Sequence, residues 1–118
     1  MNKSRDETDG IKLSALEEDI LTLMGTQKMY GLEMLEGLNK GRPISVGFGS
    51  LYPTLNRLEK KGLISWQWGD EQDETGGARR KYYIVTGSGQ KVLQEVQDYR
   101  NQLKMRSMTG QPGFAGAY

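Results

Sequence analysis

Between residues 49 and 64 the chain reads GSLYPTLNRLEKKGLI, and its apolar and polar positions separate onto different faces. Leu51, Leu55 and Leu58 recur at i, i+4 and i+7, the stripe that a helix buries. Ser50, Tyr52, Asn56, Arg57, Lys60 and Lys61 fall mostly off that stripe. They are the hydrogen-bonding and cationic side chains that reach phosphates and base edges. The pattern starts a helix near Gly49 or Ser50, which puts Pro53 in its first turn, where a missing amide is tolerated. Gly62 ends it as a C′ glycine.

Two shorter helices precede this one. Ser14 followed by Glu17 makes a capping box, and Glu17, Glu18 and Asp19 suit the positive end of the helix dipole. Leu13, Leu16, Ile20, Leu23 and Met24 form the apolar face, and Gly25 closes the helix. A second helix runs from about residue 30 to 40, with Met34, Leu35 and Leu38 inward and Gly41 and Pro43 beyond its end. Gly37 inside it costs up to about 1 kcal/mol relative to alanine. A close approach of the third helix would account for the missing side chain.

After Gly62 the period changes to two. Ile64, Trp66 and Trp68 share one face of a strand over 63–68, and Leu63, Ser65 and Gln67 take the other. Residues 79–85 form a second strand rich in β-formers. The polar loop 69–78 joins them into a hairpin with a long tip. Tyr82 and Tyr83 are expected to pack on the third and fourth helices. Trp66 and Trp68 are expected to cover the inner face of the sheet, the alternative being an exposed aromatic surface for a partner. Thr86 can cap a fourth helix, along which Val92, Val96, Tyr99 and Leu103 follow a 4-3-4 spacing with Leu93 adjacent. That is an a/d seam of about two heptads, long enough to pack on a partner helix.

The expected fold is therefore mostly α with a small β-hairpin, a winged helix-turn-helix plus a long C-terminal dimerisation helix. Residues 1–12 read as a disordered arm, 13–86 as the DNA-binding domain, 87–108 as the dimerisation helix and 109–118 as a flexible tail. A half-buried basic helix followed by a basic hairpin suits a double-stranded DNA reader. Helix-turn-helix proteins use the N-terminal part of the recognition helix. Asn56 can pair bidentately with an adenine and Arg57 with a guanine. Ser50 and Tyr52 are candidates for phosphate contact beside the helix N-terminus, and Lys60 adds charge. Arg79, Arg80 and Lys81 would set the wing on phosphates, although alternation sends Arg80 to the face opposite Lys81. Salt bridges from this strand to the acidic loop holding Asp70, Glu71, Asp73 and Glu74 are the competing reading.

Composition narrows the function further. The 118 residues include no cysteine and no histidine. That removes disulfides, thiolate chemistry, the commonest metal ligand and the usual general base at neutral pH. With no phosphate-binding glycine loop either, the chain does not read as an enzyme, and no catalytic residue, metal or cofactor is assigned. No apolar run approaches the roughly 20 residues that span a bilayer, so the expected location is the cytoplasm, without a membrane partner. The net charge is only +1, so the argument for nucleic acid rests on where the cations lie. A near-neutral chain with an acidic wing tip also fits a winged-helix protein-interaction module without DNA binding, the alternative function. A chain this short has little core left to receive a long helix. Homodimerisation follows, with Leu16, Ile20, Val92, Val96, Tyr99 and Leu103 as interface candidates, although the last four could equally serve the protomer's own core.

Three motifs resemble the PadR family of bacterial transcriptional regulators. Met29-Tyr30-Gly31-Leu32-Glu33-Met34 is similar to the family's opening of the second helix. Gly49-Ser50-Leu51-Tyr52-Pro53-Thr54-Leu55, continuing through Leu58-Glu59-Lys60-Lys61-Gly62-Leu63-Ile64, resembles its recognition-helix signature. Arg80-Lys81-Tyr82-Tyr83, leading to Thr86 and Gly89, resembles its second wing strand and the start of the fourth helix. Leu32 stands where the family usually has Tyr, which removes a backbone-contacting hydroxyl. A single C-terminal helix resembles the short subtype. The resemblance implies a homodimer joined through its fourth helices, with helix 1 nearby. It implies recognition helices in two major grooves of a pseudo-palindromic operator, and wings along backbone or minor groove. It also implies repression, with release by a small aromatic effector held between the C-terminal helices, where Tyr99 could stack on it.

Overall fold

The computed structural model describes residues 10–70 and 79–109. Most of the expected N-terminal arm, the hairpin tip and its acidic residues Glu71, Asp73 and Glu74, and the expected tail beyond Thr109 lie outside these. Seven elements follow in order: α1 (Ala15–Met24), β1 (Met29–Tyr30), α2 (Gly31–Asn39), α3 (Phe48–Lys60), β2 (Ile64–Trp68), β3 (Lys81–Val85) and α4 (Gly87–Thr109). The architecture is four helices with a small antiparallel sheet of order β1-β3-β2.

Local signals set most boundaries. The Ser14 hydroxyl accepts from the Glu17 N–H at 3.1 Å, and the Glu17 carboxylate accepts from the Ser14 N–H at 2.7 Å, closing the capping box of α1. At the end of α3, Gly62 takes φ 76°. Its N–H bonds the Glu59 carbonyl, and the Leu63 N–H bonds that of Leu58. This is the Schellman pair, open to glycine because a left-handed residue without Cβ is unstrained. Thr86 caps α4: its hydroxyl accepts from the Gly89 N–H at 3.0 Å and donates to the Gly62 carbonyl at 2.7 Å.

The structure departs from the sequence pattern in three places. The two-residue strand β1 is too short to show a period; Met29 pairs with Tyr83 and Tyr30 with Tyr82. The neighbour that requires Gly37 is α1, since a Cβ there would lie 3.0 Å and 3.1 Å from the methyls of Leu23. And α3 starts at Phe48, with Gly47 as N-cap, so Pro53 sits in the second turn. The proline withholds the N–H that would bond the Gly49 carbonyl, leaving that carbonyl on an exposed helix face.

The core joins Ile20, Leu21 and Met24 of α1 to Met34 and Leu38 of α2, to Leu51, Leu55 and Leu58 of α3, and to Leu63, Ile64, Tyr83 and Val85 of the sheet. Val92 and Leu93 complete it from the first turns of α4. Ile11, inside the expected arm, packs on this core. Ile20 and Val92, at 0% and 2% exposure, are therefore core residues of the single chain. They cannot form the surface of an interface, because sequence spacing does not reveal which protomer receives a buried side chain.

Candidate nucleic-acid interface

With Leu51, Thr54, Leu55 and Leu58 buried, α3 turns Gly49, Pro53, Asn56 and Lys60 outward in one strip. Asn56 and Lys60 make no side-chain hydrogen bond or ion pair within the described residues. They project as free donor, acceptor and charge. Ser50 and Arg57 lie on the flank toward α1, and Tyr52 and Glu59 on the flank toward the sheet, where Glu59 accepts from the Trp66 indole N–H at 3.0 Å.

Not every polar residue of this helix is free. The Lys61 ammonium donates to both oxygens of Glu17 at 2.9 Å and to the Lys12 carbonyl at 2.8 Å. It is a strut between α3 and α1 rather than a cation offered outward. Arg57 is partly engaged: Nη2 donates to the Thr54 hydroxyl at 2.9 Å, and Nε lies 3.9 Å from Glu17, although the side chain stays 54% exposed. Burial by itself would raise the Glu17 carboxyl. The Lys61 and Ser14 hydrogen bonds and the charges of Lys61 and Arg57 outweigh it and hold the group below its ordinary 4.5. Tyr52 stacks on Phe48 with ring centroids 5.5 Å apart, and its hydroxyl abuts Gly31. A side chain at Gly31 would displace it.

The wing divides its cations between the two sheet faces, as strand alternation requires. Lys81 stands 4.0 Å from the Trp66 centroid, Arg79 stands 5.5 Å from that of Trp68, and the two indoles meet edge to face. On the opposite face Arg80 lies 4.4 Å from the Tyr30 centroid and Lys28 5.3 Å from that of Tyr82. Such contacts fix a cation's position while leaving its charge. Trp66 is half-buried beside the core, whereas Trp68 is 51% exposed, so the indoles only partly cover the inner face. Tyr83 is core, its phenol pushed up by burial and then by Tyr52 and Glu59. Tyr82 packs on Tyr30 and Gly69 rather than on a helix.

A clamp with no periodic trace holds the turn between α2 and α3. Asn39 Nδ2 donates to the Val46 carbonyl at 2.9 Å, and Oδ1 accepts from the Val46 N–H at 2.8 Å. Arg42 bonds Asp19 at 2.7 Å and the Ile44 carbonyl at 3.0 Å. Together they fix the angle at which α3 leaves α2. Neither Asn39 nor Arg42 belongs to a periodic pattern, and both partners are remote or backbone.

Two helices joined by a clamped turn, the second presenting a polar strip beside a cationic hairpin, form a winged helix-turn-helix. The model of the transcriptional regulator PadR-like family matches residues 20–95. The chain belongs to that family. It is 30% identical over 103 residues to a transcriptional regulator of Mycobacterium tuberculosis, spanning 87% of this chain and 92% of the relative. Among solved structures it is similar to a PadR-like transcription factor from Bacteroides fragilis, with TM-score 0.69 and 32% identity over 80% of this chain and 87% of that one. The fold is shared with Bacillus subtilis PadR in complex with operator DNA, with TM-score 0.63 and 22% identity over 73% of this chain and 48% of that one. This is a family of transcriptional regulators, not of enzymes. Among the described residues no cluster of carboxylates could hold a metal, and no helix is long and apolar enough to cross a membrane.

In this PadR-like chain the C-terminal helix outruns its own domain. The last fully buried residue of α4 is Leu93. Val96 is half-buried, and everything from Asp98 to Thr109 is exposed, including Tyr99, Leu103, Met105 and Met108. Leu16 is partly buried against the core. Arg100 forms a fork with Glu18 at 2.8 Å and 2.9 Å, tying α4 to α1. Of the six expected interface residues, Leu16, Val96, Tyr99 and Leu103 thus retain accessible surface. Tyr99, the expected effector contact, stands 56% exposed on the helix.

Proposed function

We propose that this PadR-family regulator binds a pseudo-palindromic operator in the cytoplasm as a homodimer and represses transcription. The observation that carries the reading is the outward strip of α3, where Asn56 and Lys60 are unpartnered within the described residues and Gly49 and Pro53 complete the exposed face. In this reading Asn56 reads a base edge and Lys60, with Ser50, contacts phosphate. Arg57 contributes charge from its flank, and Tyr52 braces the helix N-terminus. Arg79, Arg80 and Lys81 hold the wing on the backbone from its two faces. The exposed half of α4 supports the dimer: Val96, Tyr99 and Leu103 of each chain would cover those of the other, with Leu16 at the margin. A small aromatic effector would enter between the two α4 helices and stack on Tyr99, loosening the dimer's grip on DNA.

Selection of bound sequences from a random duplex library, followed by a salt titration on the winner, tests the reading. A palindromic consensus with half-sites one turn apart, about 34–36 Å, is the expected result. The logarithm of affinity should fall with that of salt, with a slope of about −0.9 per phosphate neutralised. No enrichment by a folded dimer refutes it and favours a protein-interaction module.

A further inference from the structure

Phe48 opens α3 with a ring that its own chain does not bury. It is 43% exposed, and Tyr52, on which it stacks at 17° between ring planes, is 42% exposed. The stack holds the phenyl ring in one orientation, because the Tyr52 hydroxyl is in turn lodged against Gly31. On either side stand Gly47 and Gly49. A Cβ at either would meet nothing within 4 Å, and neither takes a positive φ. Neither a clash nor a left-handed backbone therefore holds these two positions to glycine. Their effect is to leave bare backbone around a rigid apolar ring at the leading end of the recognition helix.

We infer that Phe48 reads the 5-methyl group of a thymine in each half-site, and that Gly47 and Gly49 clear the approach. The inference rests on the DNA-binding reading above and goes beyond it by assigning a base-specifying contact. The first turn of a recognition helix goes deepest into the major groove. A phenyl ring offers no donor or acceptor, and the thymine methyl is the apolar group displayed there. Preset by Tyr52, the ring loses little freedom on contact.

The test exchanges single thymines of the selected operator for uracil, which removes the methyl and leaves every hydrogen-bonding group. Fluorescence anisotropy reads the affinity. At one thymine per half-site the exchange should weaken the native protein about fourfold, and about fifteenfold when made in both, from the burial value of one methyl. Phe48→Ala should bind thymine and uracil operators alike and keep the native salt slope. The inference is overturned if no exchange affects the native protein, or if Phe48→Ala discriminates as the native protein does. Loss of all sequence-selective binding by the folded dimer would overturn the DNA-binding reading with it. Selective binding without methyl discrimination overturns this assignment alone.

Discussion

Replacing Lys61 with Met would strand a carboxylate that the fold has enclosed. The Glu17 side chain is 2% accessible, so in the variant it keeps the Ser14 N–H and the distant Arg57 but loses two hydrogen bonds from an ammonium. Breaking a fully buried pair costs about 3–5 kcal/mol, and an exposed one about 0–1. The Lys61 side chain is 31% exposed, which opens the pair to water on one side and places the expected loss between these limits, at about 2 kcal/mol. In urea, with a slope of about 1–3 kcal/mol per molar, the midpoint should fall by about 1 M. Glu17→Gln combined with Lys61→Met should be less damaging than the sum of the two single changes, because the stranded charge is gone. The pH dependence has a definite sign. The folded carboxyl titrates below 4.5 and the unfolded one near it, so the unfolded chain binds more protons in acid. The contribution is complete above about pH 4.5 and disappears as pH falls through the folded value. Native and variant stabilities should therefore converge as pH falls below 4.5 and through the folded value, at matched protein concentration. A loss under about 0.5 kcal/mol at neutral pH, or one that stays constant until the native protein unfolds in acid, would refute the argument that Lys61 is a structural strut.

Lys60→Ala should weaken DNA binding about equally on all sequences and lower the salt slope by about one, whereas Asn56→Ala should cost about 1–3 kcal/mol and relax the preference at one position; competition anisotropy separates them. Leu103→Glu, placed on an exposed stretch of α4, should shift the proposed dimer to monomer in sedimentation while leaving the domain's helical signal intact. Gly89→Ala should destabilise by about 1–3 kcal/mol, as overpacking does, because its Cβ would strike the Leu63 carbonyl and lie 2.7 Å from a Val85 methyl. Thermal unfolding measures it.

The elements whose signal lies within one or two turns of chain were legible from residue order alone. The Ser14–Glu17 box, the Gly62 stop, the Leu51-Leu55-Leu58 stripe and the Thr86 cap each depend on neighbours a few positions away, and each is where local chemistry puts it. The opposed directions of Arg80 and Lys81 follow from the strand period alone. Tertiary structure decided which polar groups of a helix are free. Lys60 and Lys61 are adjacent and chemically identical, yet Lys61 turns back to Glu17, 44 positions away, while Lys60 turns out. The same holds for Ile20 and Val92, whose spacing asks for burial without naming the surface that supplies it. It holds also for Gly37, whose neighbour proved to be Leu23 of α1, and for Asn39, whose clamp on Val46 has no periodic trace. Periodicity encodes the direction in which a side chain points. What it meets there depends on how the helices and sheet pack, and only the folded chain contains that.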